Sequence, residues 1–298
     1  MSGKVAVVTG SGRGLGRAYA RALAAAGASV VVNDVDAGAA GAVVEEIRSA
    51  GGAAVAVVAP VGPTAAADAL VAAAVEQFGR LDAMVTNAGL LRDRSVTKMS
   101  DDDFDLVVET HLRGTFTCAR AAITRFREQG GGGRLVLVGS PAGQRASFGQ
   151  ANYSSVKAGI VGMARTLAAE TARHAITVNA LVPVALTRMV ATIPAFADAV
   201  AAVDRGEPVP AQLRARGVGT AEDVAPLLVW LLSDAAAGVT GQALGVGGDR
   251  ITVWSHPAVA AEASRAGGWT PEAIAEAFPA QLEPHLQPYT ADVPAAAR

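Results

Sequence analysis

The sequence predicts a doubly wound parallel α/β sheet, and two observations predict it. Short Val-rich runs alternate with Ala-rich stretches of helical length from the first residues onward. Those runs are apolar throughout rather than alternating, as strands buried on both faces are. With 51% of its 298 residues hydrophobic, the chain can also fill a large core. One unit of this class commonly reaches ~250 residues. The expected organisation is one domain over residues 1–254 and an extension over 255–298.

The elements follow in order. Residues 5–9 are a strand, followed by a glycine turn and a helix to about residue 26. A second strand (28–34) and helix (37–50) end at Gly51-Gly52, and a third strand (53–58) and helix (65–78) stop at Gly79. Residues 81–85 begin the second half of the sheet. A long helix over 101–128 closes at the glycines 130–133, before a strand at 134–138. Next come a helix over 151–173, a strand at 175–182, a helix at 221–232 and a last strand near 243–246 that completes the sheet. Residues 184–219 contain Pro194, Pro208 and Pro210, too irregular for one helix and long for a plain loop, which reads as a lid over a ligand. In the extension, Thr270-Pro271-Glu272 opens a short helix expected to end before Pro279.

Composition excludes several functions. Lys and Arg total 25 against 27 Asp and Glu, a net charge of −2, so there is no positive field to hold nucleic acid or an anionic membrane. A single cysteine, Cys118, excludes an internal disulfide and a multi-cysteine metal site. The four histidines are scattered, without ligand spacing, so no metal is expected. Neither a signal peptide nor an apolar run of the ~20 residues a membrane helix needs is visible, so a reducing cytoplasm is the expected location.

Thr9-Gly10-Ser11-Gly12-Arg13-Gly14-Leu15-Gly16 lies between the first strand and the first helix. Glycines there permit a tight turn and a close approach of backbone to a pyrophosphate, which the helix N-terminus then attracts. The flanking strand and helix supply the context that a dinucleotide site of the Rossmann type requires. Asp34 ends the second strand, 18 residues after Gly16, where a carboxylate accepts hydrogen bonds from ribose hydroxyls and repels a 2′-phosphate. Arg13 is a counter-signal, since a cation in the turn suits a 2′-phosphate; Asp34 and Asp36 outweigh it, and NAD is the expected cofactor.

Tyr153 and Lys157 stand four apart on one helix face, and Ser140 precedes Tyr153 by 13 residues at a strand end. A phenol with an ordinary pKa near 10 is a poor base at neutral pH. The sequence predicts that the lysine cation and an oxidised nicotinamide lower it, while the serine hydroxyl bonds a substrate oxygen.

At this point the chain resembles the short-chain dehydrogenase/reductase family over about residues 3–248. The resemblance rests on the glycine turn, Thr86-Asn87-Ala88-Gly89, Ser140, Tyr153-x-x-x-Lys157, and Val178-Asn179 with Pro183 and Thr187. It implies reversible hydride transfer between a nicotinamide cofactor and a secondary alcohol or ketone. Tyr153 would be the general acid/base, Ser140 would orient the substrate oxygen, and Lys157 would bind the nicotinamide ribose. Asn87, Ala88 and Gly89 would line the adenosine-side ribose and the sheet edge, with Thr187 reaching the carboxamide.

Two positions depart from the family pattern. His111 stands where the family usually has an Asn that kinks a helix and holds a proton-relay water; His111 is either its counterpart or a packed core histidine. Pro60 stands where an Asp before Val61 usually contacts adenine, leaving backbone groups to hold the base. Within the family, Val30-Val31-Val32-Asn33-Asp34, His111-Leu112-Arg113-Gly114, Gly149-Gln150-Ala151-Asn152 and Gly241-Gln242-Ala243-Leu244-Gly245-Val246 are similar to the dehydrogenase part of peroxisomal multifunctional β-oxidation enzymes and their bacterial relatives. That group carries His at this position and acts on 3-hydroxyacyl thioesters of coenzyme A, in the (3R) series. Two alternatives stay open: a steroid, acyl-carrier-protein thioester or other alcohol as substrate, and a catalytically silent dinucleotide sensor or scaffold. The family also implies a homodimer or homotetramer.

The extension over 249–298 carries Trp254, Trp269, Phe278 and Tyr289, more aromatic surface than a disordered tail holds. It is expected to dock on a folded surface, by preference that of a neighbouring subunit, with only residues 291–298 mobile.

Overall fold

The computed structural model describes residues 1–192 and 194–287, so the expectations for Tyr289 and for 291–298 lie outside the described residues. The chain divides into two compact units, Met1–Trp254 and Ser255–Arg298.

The first unit is the predicted α/β sheet. Eight strands run in the order β3-β2-β1-β4-β5-β6-β7-β8. They are β1 (Val5–Val8), β2 (Ser29–Asp34), β3 (Ala53–Val58), β4 (Ala83–Thr86), β5 (Gly133–Val138), β6 (Ile176–Pro183), β7 (Ala243–Gly247) and β8 (Arg250–Trp254). Neighbours from β3 to β7 are parallel; β7 and β8 are antiparallel. In β1, Val5 and Val7 enter one apolar cluster, Ala6 and Val8 the other, so the strand is buried on both faces. Each valine so buried contributes roughly 1.5–3 kcal/mol.

Helices cover both faces. Tyr19 and Leu23 of α1 (Gly14–Ala25), Val43 and Ile47 of α2 (Ala37–Ser49), and Leu228 and Leu231 of α9 (Ala221–Leu232) fill one side. Leu70 of α3 (Thr64–Phe78), Cys118 and Phe126 of α5 (Gly114–Gln129), and Ile160 of α6 (Ala151–Thr171) fill the other. The chain winds outward from β1 in one direction and from β4 in the other. The loops after these two strands therefore diverge and open a crevice at the carboxyl ends of the strands.

Four expectations need correction. The strand at 243–246 does not complete the sheet, because the chain turns at Gly248 and adds β8 as an antiparallel edge. β3 is not buried on both faces: it is the opposite edge strand, with Val58 half exposed. The helix expected over 101–128 is interrupted, α4 (Asp101–Val107) passing through a π-helical turn (Val108–Arg113) before α5. The lid region holds α7 (Pro194–Asp204) and α8 (Ala211–Ala215), which close over a cluster of Leu186, Val200, Val209 and Val218. In the second unit, α10 (Pro271–Gln281) runs through Pro279, which has no N–H to donate to the carbonyl one turn earlier. Thr270 caps α10, accepting from the Ala273 N–H at 3.2 Å.

Candidate active site

The glycine turn is fastened to the start of the second half-sheet. The Asn87 amide donates to the Thr9 and Gly10 carbonyls, each at 3.0 Å, and the Thr9 hydroxyl accepts from the N–H groups of Asn87 and Ala88 at 2.9 and 3.0 Å. Gly10 sits at φ +60°, and a Cβ there would lie 2.6 Å from Ala88 Cα, so only glycine fits. Gly16 is packed as tightly, 2.7 Å separating its would-be Cβ from the Asn87 amide nitrogen. Asn87, expected to line the ribose, thus spends its side chain on the turn itself.

Asp34 lies against the same turn. Its Oδ2 accepts from the Gly12 N–H at 3.0 Å and its Oδ1 from the Asp36 N–H at 3.1 Å. Each oxygen keeps a further lone pair for a ribose hydroxyl. Arg13 is ion-paired with Asp36, so the cation that argued for a 2′-phosphate is already engaged. The Arg13 guanidinium and two backbone N–H groups hold the Asp36 carboxyl below its usual range, the N–H of Ala39 foremost.

The N-terminus of α1 has no side-chain cap, whereas Asp36, Ser100, Thr220 and Thr270 cap α2, α4, α9 and α10. Its first N–H groups therefore face the glycine turn without a protein acceptor, and the cradle fits a pyrophosphate. Leu15 anchors that helix by packing into the core, and Thr187 comes up beside Gly14, where a Cβ would meet its methyl at 3.8 Å. Val61 instead packs on the start of α5, 2.9 Å from where a Gly114 Cβ would stand, and Pro183 ends β6 paired with Val246. Neither is shown in contact with the glycine turn, and Gly89 packs against His111 instead.

The catalytic candidates converge at the carboxyl ends of β4 and β5. Tyr153 is buried, and its hydroxyl is hydrogen-bonded to Ser140, whose Oγ also accepts from the Ala142 N–H at 3.2 Å. Lys157 Nζ donates to the Val138 carbonyl at 2.6 Å and lies 5.5 Å from the centre of the Tyr153 ring. The expected lowering of the Tyr153 phenol is not what the polypeptide alone produces. Burial raises it, the Ser140 hydrogen bond lowers it by less, and the Asp93 charge raises it further. Lys157, buried without a carboxylate partner, is itself pushed down to about 7.

His111 sits in the π-helical turn, 1% exposed, its ring edge-on to Tyr153 with centroids 5.3 Å apart. Its Nε2 meets both the Leu90 N–H (3.0 Å) and the Leu90 carbonyl (2.8 Å), while Nδ1 is buried without a partner. Burial, with the Lys157 charge second, holds its pKa down to about 3, so the ring is neutral at physiological pH. Gly89 makes room for it, since a side chain there would strike the imidazole. The two readings of His111 thus merge: it is a packed histidine that still presents an unused polar atom.

The sequence reading assigned no role to Asp93, Gln150 and Asn152. Gln150 Nε2 donates to Asp93 Oδ2 at 2.9 Å. Asn152, fully buried, donates to the Arg92 and Asp103 carbonyls at 3.1 and 3.2 Å and accepts from the Tyr153 N–H at 2.7 Å. The string Gly149-Gln150-Ala151-Asn152 contains two of them, but only as part of a resemblance, and nothing in the sequence marked Asp93. Among the described residues no group of His, Cys, Asp or Glu could hold a metal, and no helix is long and apolar enough to cross a membrane.

A turn that fits a pyrophosphate, together with a Ser-Tyr-Lys set whose Tyr and Lys are buried, is the arrangement of a dinucleotide-dependent oxidoreductase. The chain belongs to the short-chain dehydrogenase/reductase family: residues 10–248 match the family model described as Enoyl-(Acyl carrier protein) reductase. It is 40% identical over 283 residues to a hydroxyacyl-CoA dehydrogenase of Mycobacterium tuberculosis, covering 91% of this chain and 86% of that one. It is 44% identical over 196 residues to a peroxisomal multifunctional enzyme type 2 of Drosophila melanogaster, covering 63% of this chain and 32% of the fly protein. The matched segment thus spans about a third of the fly protein. A crystal structure of a short chain dehydrogenase from Mycobacterium avium matches with a TM-score of 0.84 and 38% identity, over 97% of this chain and 98% of that one. The relatives it matches include proteins named dehydrogenases and reductases.

Proposed function

We propose that the protein interconverts a 3-hydroxyacyl and a 3-oxoacyl thioester of coenzyme A with NAD(H). The single observation that carries the chemistry is the Ser140–Tyr153–Lys157 set, with Tyr153 and Lys157 buried and Ser140 partly exposed beside them. The substrate class is supported by the hydroxyacyl-CoA dehydrogenase relative, which this chain matches over 86% of its length. The family model's description favours one alternative, a thioester on acyl carrier protein.

A dinucleotide held by the glycine turn and Asp34 would supply the hydride for reduction of the carbonyl carbon. Ser140 Oγ–H hydrogen-bonds the carbonyl oxygen, and Tyr153 Oη–H transfers its proton there as negative charge develops. In oxidation the Tyr153 phenolate takes the hydroxyl proton. Lys157 lies on the ring face of Tyr153, where its ammonium form favours that phenolate. His111 is too depressed to donate as a cation, so its Nδ1 serves as a hydrogen-bonding station at the ring edge rather than as an acid.

NAD is the cofactor we assign. Asp34 would face a 2′-phosphate with like charge, and Arg13 is paired with Asp36. Calorimetric titration should show NADH binding at least ~10-fold tighter than NADPH, since an unscreened phosphate–carboxylate pair costs over a kcal/mol; equal or tighter NADPH binding removes the assignment. For the substrate, 3-oxobutyryl-CoA is compared with its acyl-carrier-protein counterpart, a steroid ketone and a simple ketone. Preference for any of the other three overturns the CoA reading. We further place the enzyme in the cytoplasm as a homodimer or homotetramer, its second unit reaching a neighbouring subunit. Supporting the last point, this unit presents exposed Val259, Trp269, Ile274 and Leu286.

A further inference from the structure

The loop after β4 brings an unneutralised carboxylate to the segment that carries the catalytic tyrosine. Asp93 Oδ2 is held by Gln150 Nε2 at 2.9 Å, and Oδ1 is buried without a partner. Two arginines flank it in sequence, yet neither pairs with it. Arg92 faces Asp103 at 3.8 Å and donates to the Leu91 carbonyl, while Arg94 donates to the Asp93 main-chain carbonyl. Among the described residues Asp93 has no ion pair.

The loop is fixed in place from both ends. The Arg94 N–H donates to the Gly149 carbonyl at 2.8 Å, Arg94 and Gln150 form an isolated β-bridge, and Asn152 ties Arg92 to the first turn of α6. Every one of these bonds joins residues 90–94 to the segment that carries Tyr153. The polar groups around Tyr153 are Ser140 from the loop after β5, Lys157 one helical turn along α6 and neutral His111 from the π-helical turn, with Asp93 held by Gln150 three residues ahead of it. Apolar side chains packed in the same cluster include Val107, Leu90, Leu91 and Ala142.

We propose that Asp93, latched by Gln150 and left without a cation, is a positioning residue that holds Tyr153 in its protonated form between turnovers. This rests on Tyr153 being the acid/base. A negative charge in a poorly solvated pocket opposes a second one, so Asp93 offsets part of what Lys157 does and keeps the phenol charged with its proton for reduction.

The test is the ionisation of Tyr153 in the NAD complex, followed by phenolate absorbance. The chain holds three tyrosines, so the difference from Tyr153→Phe isolates the one of interest. In Asp93→Asn and Asp93→Ser the titration should shift down by roughly half to one pH unit, the scale of one neighbouring charge. The acid limb of 3-hydroxybutyryl-CoA oxidation should shift by the same amount. Gln150→Leu keeps the charge, so it should raise KM without lowering the titration. A folded Asp93 variant whose titration stays within ~0.2 unit overturns the proposal. So does loss of fold in both neutral variants while Asp93→Glu folds, which would make the carboxylate a purely structural latch. Failure of the acid/base reading is recognised separately, by wild-type kcat in Tyr153→Phe.

Discussion

A phenol buried among apolar side chains ionises reluctantly, and at Tyr153 burial outweighs the Ser140 hydrogen bond. Its proton is therefore available for reduction, and oxidation depends on cations to draw it off. Tyr153→Phe should lower kcat by roughly 10²–10⁴ in both directions, the usual effect of losing a positioned acid/base. NADH affinity, measured by fluorescence titration, should change by less than about threefold, because the cofactor cradle lies elsewhere. His111 yields a prediction about stability. The unfolded chain protonates it below its ordinary 6.5, whereas the native ring stays neutral to about 3. Its contribution is present in full above pH 6.5 and is lost as pH falls toward 3, at roughly 1.4 kcal/mol per pH unit. Urea midpoints for His111→Asn should therefore fall less between pH 7 and pH 4 than those of the native protein. Parallel slopes would mean that the imidazole takes up its proton without unfolding.

At the scale of elements, the site is a joint between β1 and β4. Asn87 follows β4 and donates to two carbonyls of the turn after β1, so it closes the one place where adjacent parallel strands separate. Asn87→Ala leaves both carbonyls short of a donor, at about 1–3 kcal/mol each if water does not replace it. Tm should drop by several degrees and the NADH Kd should rise, with kcat at saturating NADH nearly unchanged. If Tm falls while the NADH Kd holds, the joint is structural only. The π-helical turn is the second such device. By admitting extra residues between α4 and α5 it brings His111 to the Leu90 backbone and to the Tyr153 ring.

On the scale of the whole molecule, the second unit offers apolar side chains that a single copy leaves exposed, Trp269 and Ile274 among them. Deletion after Ser255 should change the oligomer size measured by light scattering, or raise KM for the acyl-CoA, while NADH affinity stays the same. Unchanged mass together with unchanged KM would show that the unit is a loosely attached tail.

The sequence by itself determined the sheet and the cofactor cradle, because both follow from local rules. The all-apolar run 30–32 signals a strand covered on both faces, as it proves to be, and a glycine-rich turn before a helix presents backbone. Tyr153 and Lys157 were legible for the same reason, four residues apart on one helix. Only the tertiary structure decided the rest. β8 forms because the edge of β7 is open to a returning chain, and β3 is half exposed because the strand order places it last. The break at Val108–Arg113 serves contacts with Leu90 and Tyr153 rather than any helix-breaking residue of its own. The state of Tyr153 depends on how much solvent is excluded and on Asp93, which stands 60 residues earlier in the sequence. Burial and long-range charge are sums over the folded chain, and no local pattern encodes them.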